Sequence, residues 1–317
     1  MSDPSPSEPS RDALPAGTRV DCYCIRSLLG SGGFSLIYLA EDEETHEEVV
    51  IKEFFPKKFG FRGSDLSVTA RQDVESGQFN RGRRLFYQEA KVLASLRHPH
   101  IVRVINFFLA NNTAYLAMEY QRGRNLGEYV RERGGGMSTT FIMTVFPPIL
   151  DALALIHQRS LLHLDIKPGN IHLRPGGSPI LLDFGAAHSL NPDDHRQQAQ
   201  VITAGFSPLE QYLPDGVIGP WTDVYAIGAT MRTCIAGRPP ASAIERHASD
   251  RMRPATEQFR RGYPAHLLAA IDWALQMDPR DRPQNAGELL VALKVERRII
   301  DPGPLPGSGF TIGSSGR

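Results

Sequence analysis

The chain has 317 residues, with 35 Lys and Arg against 35 Asp and Glu and 41% hydrophobic residues, enough to bury one large or two modest cores without disulfide or metal staples. A balanced charge argues against a protein whose main task is to wrap nucleic acid, because such domains carry a basic excess to neutralise phosphates. Cys22, Cys24 and Cys234 are too few for a disulfide framework or a structural zinc site, and they read as reduced thiols in a cytoplasmic compartment.

In chain order, residues 1–18 are Pro- and Ser-rich and read as a disordered tail. They have neither the basic start nor the apolar stretch of a signal peptide. Short β-branched or aromatic runs at Tyr23–Leu29, Ser35–Ala40 and Val49–Phe54 read as strands separated by glycines and charged turns. Helical spacing follows over Leu85–Leu96, stopped by His98-Pro99, and then two more strands at Ile101–Phe108 and Thr113–Met118. From Leu126 the periodicity turns helical over 141–158, 222–236, 265–277 and 286–294. The most apolar stretch, Phe141–Ile156, is interrupted by Pro147, Pro148 and Asp151, so it reads as a buried helix rather than a membrane span of ~20 apolar residues. Residues 298–317 form a second Gly/Pro/Ser-rich tail. The expectation is an α+β chain in two lobes, a small β-rich one over 19–120 and a larger α-rich one over 121–297, with a cleft near residues 118–125.

Gly30-Ser31-Gly32-Gly33-Phe34-Ser35 nearly fits a Gly-x-Gly-x-x-Gly loop, whose missing side chains let backbone amides approach a polyphosphate. A strand rather than a helix follows it, so it is a hairpin lid and not a dinucleotide-binding turn. Lys52 sits among apolar neighbours in VVIK and needs an anion there; Glu89 on the following helix is the candidate. Further on, HLDIKPGN (163–170) is followed by a short hairpin, an apolar ILL and Asp183-Phe184-Gly185. Lys52, Glu89, Asp165, Lys167, Asn170 and Asp183 in this order resemble the signature set of the protein kinase superfamily. VVIKEFFP, ILLDFGAA and GPWTDVYAIGAT resemble bacterial eukaryotic-type (Hanks-type) serine/threonine kinases over about residues 20–296.

The resemblance implies a bilobal fold, with an antiparallel β-sheet lobe carrying one main helix and a mainly α-helical lobe. It implies ATP and Mg²⁺, with Mn²⁺ as an alternative metal. Gly30, Gly32 and Gly33 would cover the phosphates, and Lys52 paired to Glu89 would hold them. Asn170 and Asp183 would ligate the metal, and Asp165 would accept the substrate proton with Lys167 neutralising the transferring group. Met118 would be the gatekeeper, the backbone of Glu119 and Gln121 would bind the adenine edge, and Ile37, Val50 and His172 would enclose the base. Thr203 would bridge Asp165 and Lys167 as in serine/threonine kinases, Glu210 would pair with Arg282, and Asp223 would hold the catalytic-loop backbone. His163, Phe184, Leu93 and Val104 would be the stacked side chains joining the lobes.

Leu164 stands where phosphorylation-regulated kinases carry the Arg that reads a loop phosphate, which implies a kinase independent of that modification. Between Lys52 and Glu89 lie 36 residues, where a link of a few would suffice. This insert, about 56–84, opens a stretch (56–103) with 10 Lys/Arg against 4 Asp/Glu, and it reads either as a solvated face or as a docking surface for an acidic partner. The competing functions are a nucleotide-binding pseudokinase scaffold and a small-molecule kinase of similar fold. Protein substrates are the expected partners; no nucleic acid and no membrane span are expected.

Overall fold

The computed structural model describes residues 12–71, 75–182, 188–189 and 202–294. Arg19–Val20 (β1), Tyr23–Ser31 (β2), Ser35–Asp42 (β3), Glu48–Phe54 (β4), Val104–Ala110 (β7) and Thr113–Glu119 (β8) form an antiparallel sheet in the order β1-β2-β3-β4-β8-β7. Between β4 and β7 come the hairpin Gly60–Arg62 (β5) and Val68–Ala70 (β6), then helix α1, Ser76–Leu93. The helix thus begins nine residues before the expected Leu85. Gly77 and Gly82 and three arginines thin out the apolar pattern of its first two turns.

Strand alternation divides the side chains of the sheet between two cores. Leu36, Tyr38 and Ala40 of β3, Val49 and Ile51 of β4, and Tyr115 and Ala117 of β8 face an outer core with Leu14, Phe55, Val68 and Phe79. Leu116 and Met118 face the opposite way, into a core shared with Ala90 and Leu93 of α1 and continuous with the large lobe. The insert closes the outer core and is no loose extension. Arg62, expected in a solvated or docking face, is instead buried: its Nη2 donates to Glu53 Oε2 at 2.5 Å. The reason is Glu53, a fully buried carboxylate that also accepts from Tyr38 (2.8 Å) and Tyr115 (2.6 Å) and would be costly without a cation. Arg62 also donates to the Asp12 carbonyl at 2.6 Å, and Leu14 N–H to Tyr38 Oη at 3.1 Å, so the start of the described chain is part of this brace.

The larger lobe begins with Arg124–Asn125 (β9), Leu126–Arg133 (α2) and Thr139–Gln158 (α3). Asn125 caps α2 by accepting from Gly127 N at 2.7 Å, and Gly134 ends it with a φ of 69°. Leu161–Leu162 (β10) pairs with His188–Ser189 (β13), and Ile171–Leu173 (β11) lies between β9 and Pro179–Leu181 (β12). The remaining helices are Pro220–Ala236 (α4), Ala243–Ala248 (α5), Ala255–Gln258 (α6), Ala265–Ala274 (α7) and Ala286–Lys294 (α8). Among the described residues, α3 is the helix long and apolar enough to cross a membrane. In this fold its Ile142, Val145, Phe146, Ile149, Leu150, Leu153 and Ile156 are buried in the large core, and it packs against α4 and α8.

Candidate active site

The cleft face of the sheet is built by the same alternation. Ile37 pairs in register with Lys52, and Val50 with Met118, so these four expected site residues lie on the face opposite Tyr38, Ile51 and Ala117. Lys52 is 3% exposed. Glu89 precedes the buried Ala90 on α1, and α1 packs on β8 and β7, which brings the Glu89 helix to the cleft side of the sheet. Glu119 ends β8 with its N–H donating to Arg103 O at 3.0 Å, and the Gln121 side chain donates to Glu119 at 3.3 Å, so the connection between lobes is tied at both residues.

Gly30 is the last residue but one of β2, and Gly32 and Gly33 lie in the turn into β3. None has a positive φ, and a Cβ on Gly30 or Gly33 would meet nothing within 4 Å, while one on Gly32 would meet Ser35 Oγ only at 3.4 Å. Neither backbone conformation nor packing explains these glycines. Their bare backbone leaves room for a ligand to approach. The loop is braced from below, where Phe55 N donates to Phe34 O at 2.8 Å and Lys57 N to Gly33 O at 3.0 Å.

The catalytic loop converges on Asp165. Lys167 Nζ donates to both carboxylate oxygens at 2.9 and 2.8 Å, Thr203 Oγ1 donates to Oδ1 at 2.8 Å, and Asn170 Nδ2 donates to Oδ2 at 3.0 Å and to the Asp165 carbonyl at 2.7 Å. Lys167 Nζ also lies 3.3 Å from Thr203 Oγ1. Two groups of the same loop, Lys167 and Asn170, and one distant in sequence, Thr203, therefore fix one carboxylate. With its nitrogen used, the Asn170 amide has its oxygen left for a hard cation. Asp183, its expected companion, lies outside the described residues, as does Phe184.

A second carboxylate holds the loop from behind. Asp223 Oδ2 accepts from His163 N–H at 2.9 Å and Oδ1 from Leu164 N–H at 2.8 Å, while His157 Nε2 contacts Oδ2 at 2.9 Å. Burial would raise the pKa of Asp223, but the His157 hydrogen bond and the histidine charges outweigh it and hold the carboxylate below its ordinary value. Leu164 between them has a φ of 59°, a strained conformation for a branched residue. It is held by Asp223, by Gln211 Nε2 donating to its carbonyl at 3.0 Å, and by packing against Leu162 and Ile218. The expected pair of Arg282 and Glu210 is present at 2.6 and 3.1 Å, with Thr222 also donating to Glu210 at 3.1 Å. Sequence reasoning did not single out His157 or Gln211. His157 is a lone histidine at the end of an apolar helix, a pattern that carries no functional signal by itself.

His172 sits in β11 opposite Asn125. Its ring lies under the inter-lobe connection, where a Cβ on Gly123 would come within 2.8 Å of Nε2. Gly123, with a φ of 146°, is required there. Burial pushes the His172 imidazole below its ordinary pKa, against the opposing pull of the Gln121 and Arg122 backbone and of Glu128.

Comparison with known proteins agrees with this geometry. Residues 23–291 match the protein kinase domain, and the chain belongs to the protein kinase family, with Hanks-type bacterial relatives. It is 28% identical over 315 residues to the serine/threonine-protein kinase pkn2 of Myxococcus xanthus, covering 90% of this chain and 35% of that protein. It is 26% identical to PrkC of Bacillus subtilis, covering 92% of this chain and 42% of that protein. A solved structure described as "PpkA-294 apo form" superposes with a TM-score of 0.76 at 35% identity, covering 89% of this chain and 100% of that one. The chain thus spans well under half the length of these curated relatives.

Proposed function

We propose that this chain is a catalytically active serine/threonine protein kinase domain that uses ATP and Mg²⁺ and works without phosphate on the segment after Asp183. The observation that carries the reading is the Asp165 carboxylate, held at once by Lys167, Thr203 and Asn170. So fixed, it can accept the proton of a serine or threonine hydroxyl as that oxygen bonds to the γ-phosphorus of ATP and ADP leaves. Lys167 beside it stabilises the charge of the transferring group. Lys52 and the bare glycine backbone supply positive charge and amide donors for the remaining phosphates. Bound Mg²⁺ would neutralise phosphate charge, with the Asn170 oxygen and Asp183 as its protein ligands. The unpaired cysteines suit the cytoplasm, where ATP and Mg²⁺ are abundant.

Independence from loop phosphorylation rests on Leu164. Its side chain is buried against Leu162 and Ile218, and no cation stands at that position to meet a phosphate. An acidic partner on the insert would meet Lys57, Lys58 and Arg84, since Arg62 is taken by Glu53, Arg71 Nε donates to Gly60 O at 3.0 Å and Arg83 donates to Asn112 O at 2.8 Å.

Labelled ATP with Mg²⁺ and generic protein substrates, comparing wild type with Asp165→Asn, tests the reading. Label on serine and threonine that the variant loses is the expected result. Nucleotide binding without transfer would make the chain a scaffold, and transfer only to small acceptors would make it a small-molecule kinase. Phosphatase-treated protein retaining less than a tenth of the activity would overturn the independence from loop phosphate.

A further inference from the structure

Away from the cleft, the end of α4, the loop 237–241, α5 and the segment up to α6 line an open cavity of about 630 Å³. Five of its lining residues are arginines, Arg232, Arg238, Arg246, Arg251 and Arg253, against one acid, Glu245. Glu245 is already engaged in capping α5, its Oε2 accepting from Ser242 N and Oγ at 2.8 Å each. Arg246 is also committed, donating to Asp250 Oδ2 at 2.9 and 3.0 Å, to Tyr225 Oη at 3.1 Å and to Leu275 O at 2.9 Å. Arg253 Nε reaches Glu257 only at 4.0 Å, and the side chains of both are exposed.

Arg232 is different. It is 5% exposed, and its guanidinium lies over the Phe259 ring at 5.4 Å. Nη2 donates to Arg253 O and to Gln258 Oε1, each at 2.8 Å, but the buried Nη1 has no hydrogen-bond partner among the described residues. Burial lowers the pKa of this guanidinium, and the charges of Arg246 and Arg238 add to that effect while Asp272 and Asp250 oppose it. An arginine cannot escape by losing its proton at neutral pH. A buried charged group with an unpaired donor is costly, and a negative charge in the cavity beside Arg232 offsets part of that cost.

The cavity borders the substrate side of the site. Gly205 lies two residues beyond Thr203, which bonds to Asp165, and a Cβ on Gly205 would come 2.8 Å from Pro240 O and 3.1 Å from Pro239 Cβ. Pro239 and Pro240 both line the cavity. The cavity is thus one residue layer from the segment that carries Thr203 to Asp165.

We infer that this arginine cavity is a recognition site for a phosphorylated side chain on the protein substrate, with the exposed Arg238 and Arg251 as its donors and the buried charge of Arg232 behind them. The inference rests on the protein kinase reading above, and it is tested without requiring phosphate transfer. Full-length Asp165→Asn protein, without ATP, is titrated with a fluorescent phosphoserine peptide and its unphosphorylated twin. The expected result is at least ten-fold tighter binding of the phosphopeptide, lost in Arg238→Ala/Arg251→Ala and in Arg232→Gln. The exposed double variant keeps the test decisive if Arg232→Gln does not fold. Equal binding of the two peptides, or unchanged preference in the double variant, overturns the inference. Displacement by inorganic phosphate only in large excess supports a peptide ligand. Displacement at equal concentration assigns the site to free phosphate and overturns the substrate role. With the Asp165 wild type, Arg238→Ala/Arg251→Ala should phosphorylate the unphosphorylated peptide at the normal rate and lose only its preference for the phosphopeptide.

Discussion

Arg62 and Glu53 form an ion pair sealed from solvent on the face of β4 that Lys52, the preceding residue, does not occupy. Burial lowers the pKa of the Arg62 guanidinium, but Glu53 together with Tyr38 and Tyr115 outweighs it, so the net shift is upward. Arg62→Met leaves the carboxylate without its cation, and the expected loss is roughly 3–5 kcal/mol in urea unfolding. Arg62→Met with Glu53→Gln should recover most of that loss, because the uncompensated charge is gone. A single variant as stable as wild type would show that the tyrosines alone satisfy Glu53.

The glycine loop separates binding from folding. Because a Cβ on Gly33 meets nothing within 4 Å, Gly33→Ala should unfold within about 0.5 kcal/mol of wild type, as for a surface change. Its KM for ATP should rise roughly ten-fold, the equivalent of about 1.4 kcal/mol of lost approach to the phosphates. A change in stability with normal KM would assign the glycine to the fold instead.

Thr203 is expected to act on turnover. Thr203→Val removes the 2.8 Å hydrogen bond to Asp165, a bond to a charged group, so kcat should fall about 10- to 100-fold with KM for ATP little changed. Thr203→Ser should keep most of the activity. Steady-state kinetics on the same peptide distinguishes these outcomes.

His172 predicts a pH dependence. Its folded pKa lies below the ordinary histidine value of about 6.5, so the unfolded chain takes up a proton that the folded chain resists. Stability from this group is complete above about pH 6.5 and declines as pH falls towards the lowered value, below which no further loss occurs. Affinity for a non-hydrolysable ATP analogue should fall lower on the pH scale, around and below the depressed folded value, where the imidazole of the folded protein itself becomes charged. His172→Leu should flatten both profiles between pH 7.5 and 5, measured by thermal unfolding and by analogue titration.

Much of the site was legible in the sequence because phosphoryl transfer requires particular groups at nearly fixed spacing. Asp165, Lys167 and Asn170 lie within one short loop, and the structure closes them on one another. Thr203 joins them through a hydroxyl that resemblance, not periodicity, pointed to. The outer brace was not legible. Glu53 reads as the charged neighbour of Lys52, and Arg62 as one of many basic residues in an insert. Only pairing β5 with β6 and laying them beside Tyr38 and Tyr115 reveals that the two charges cancel in the dark. The start of α1 was missed for a related reason. Residues 76–84 bury Phe79 against the outer core, so their signal lies in a partner that a local window does not contain.

The outer core of the small lobe has a temporal consequence. Among the described residues, every buried member lies between Leu14 and Ala117, so these parts have been synthesised before the first residue of the catalytic loop is added. On a ribosome the outer core can therefore form before the large lobe is available. The opposite face of the sheet, with Leu116 and Met118, shares its core with the large lobe and is completed only when that lobe is present.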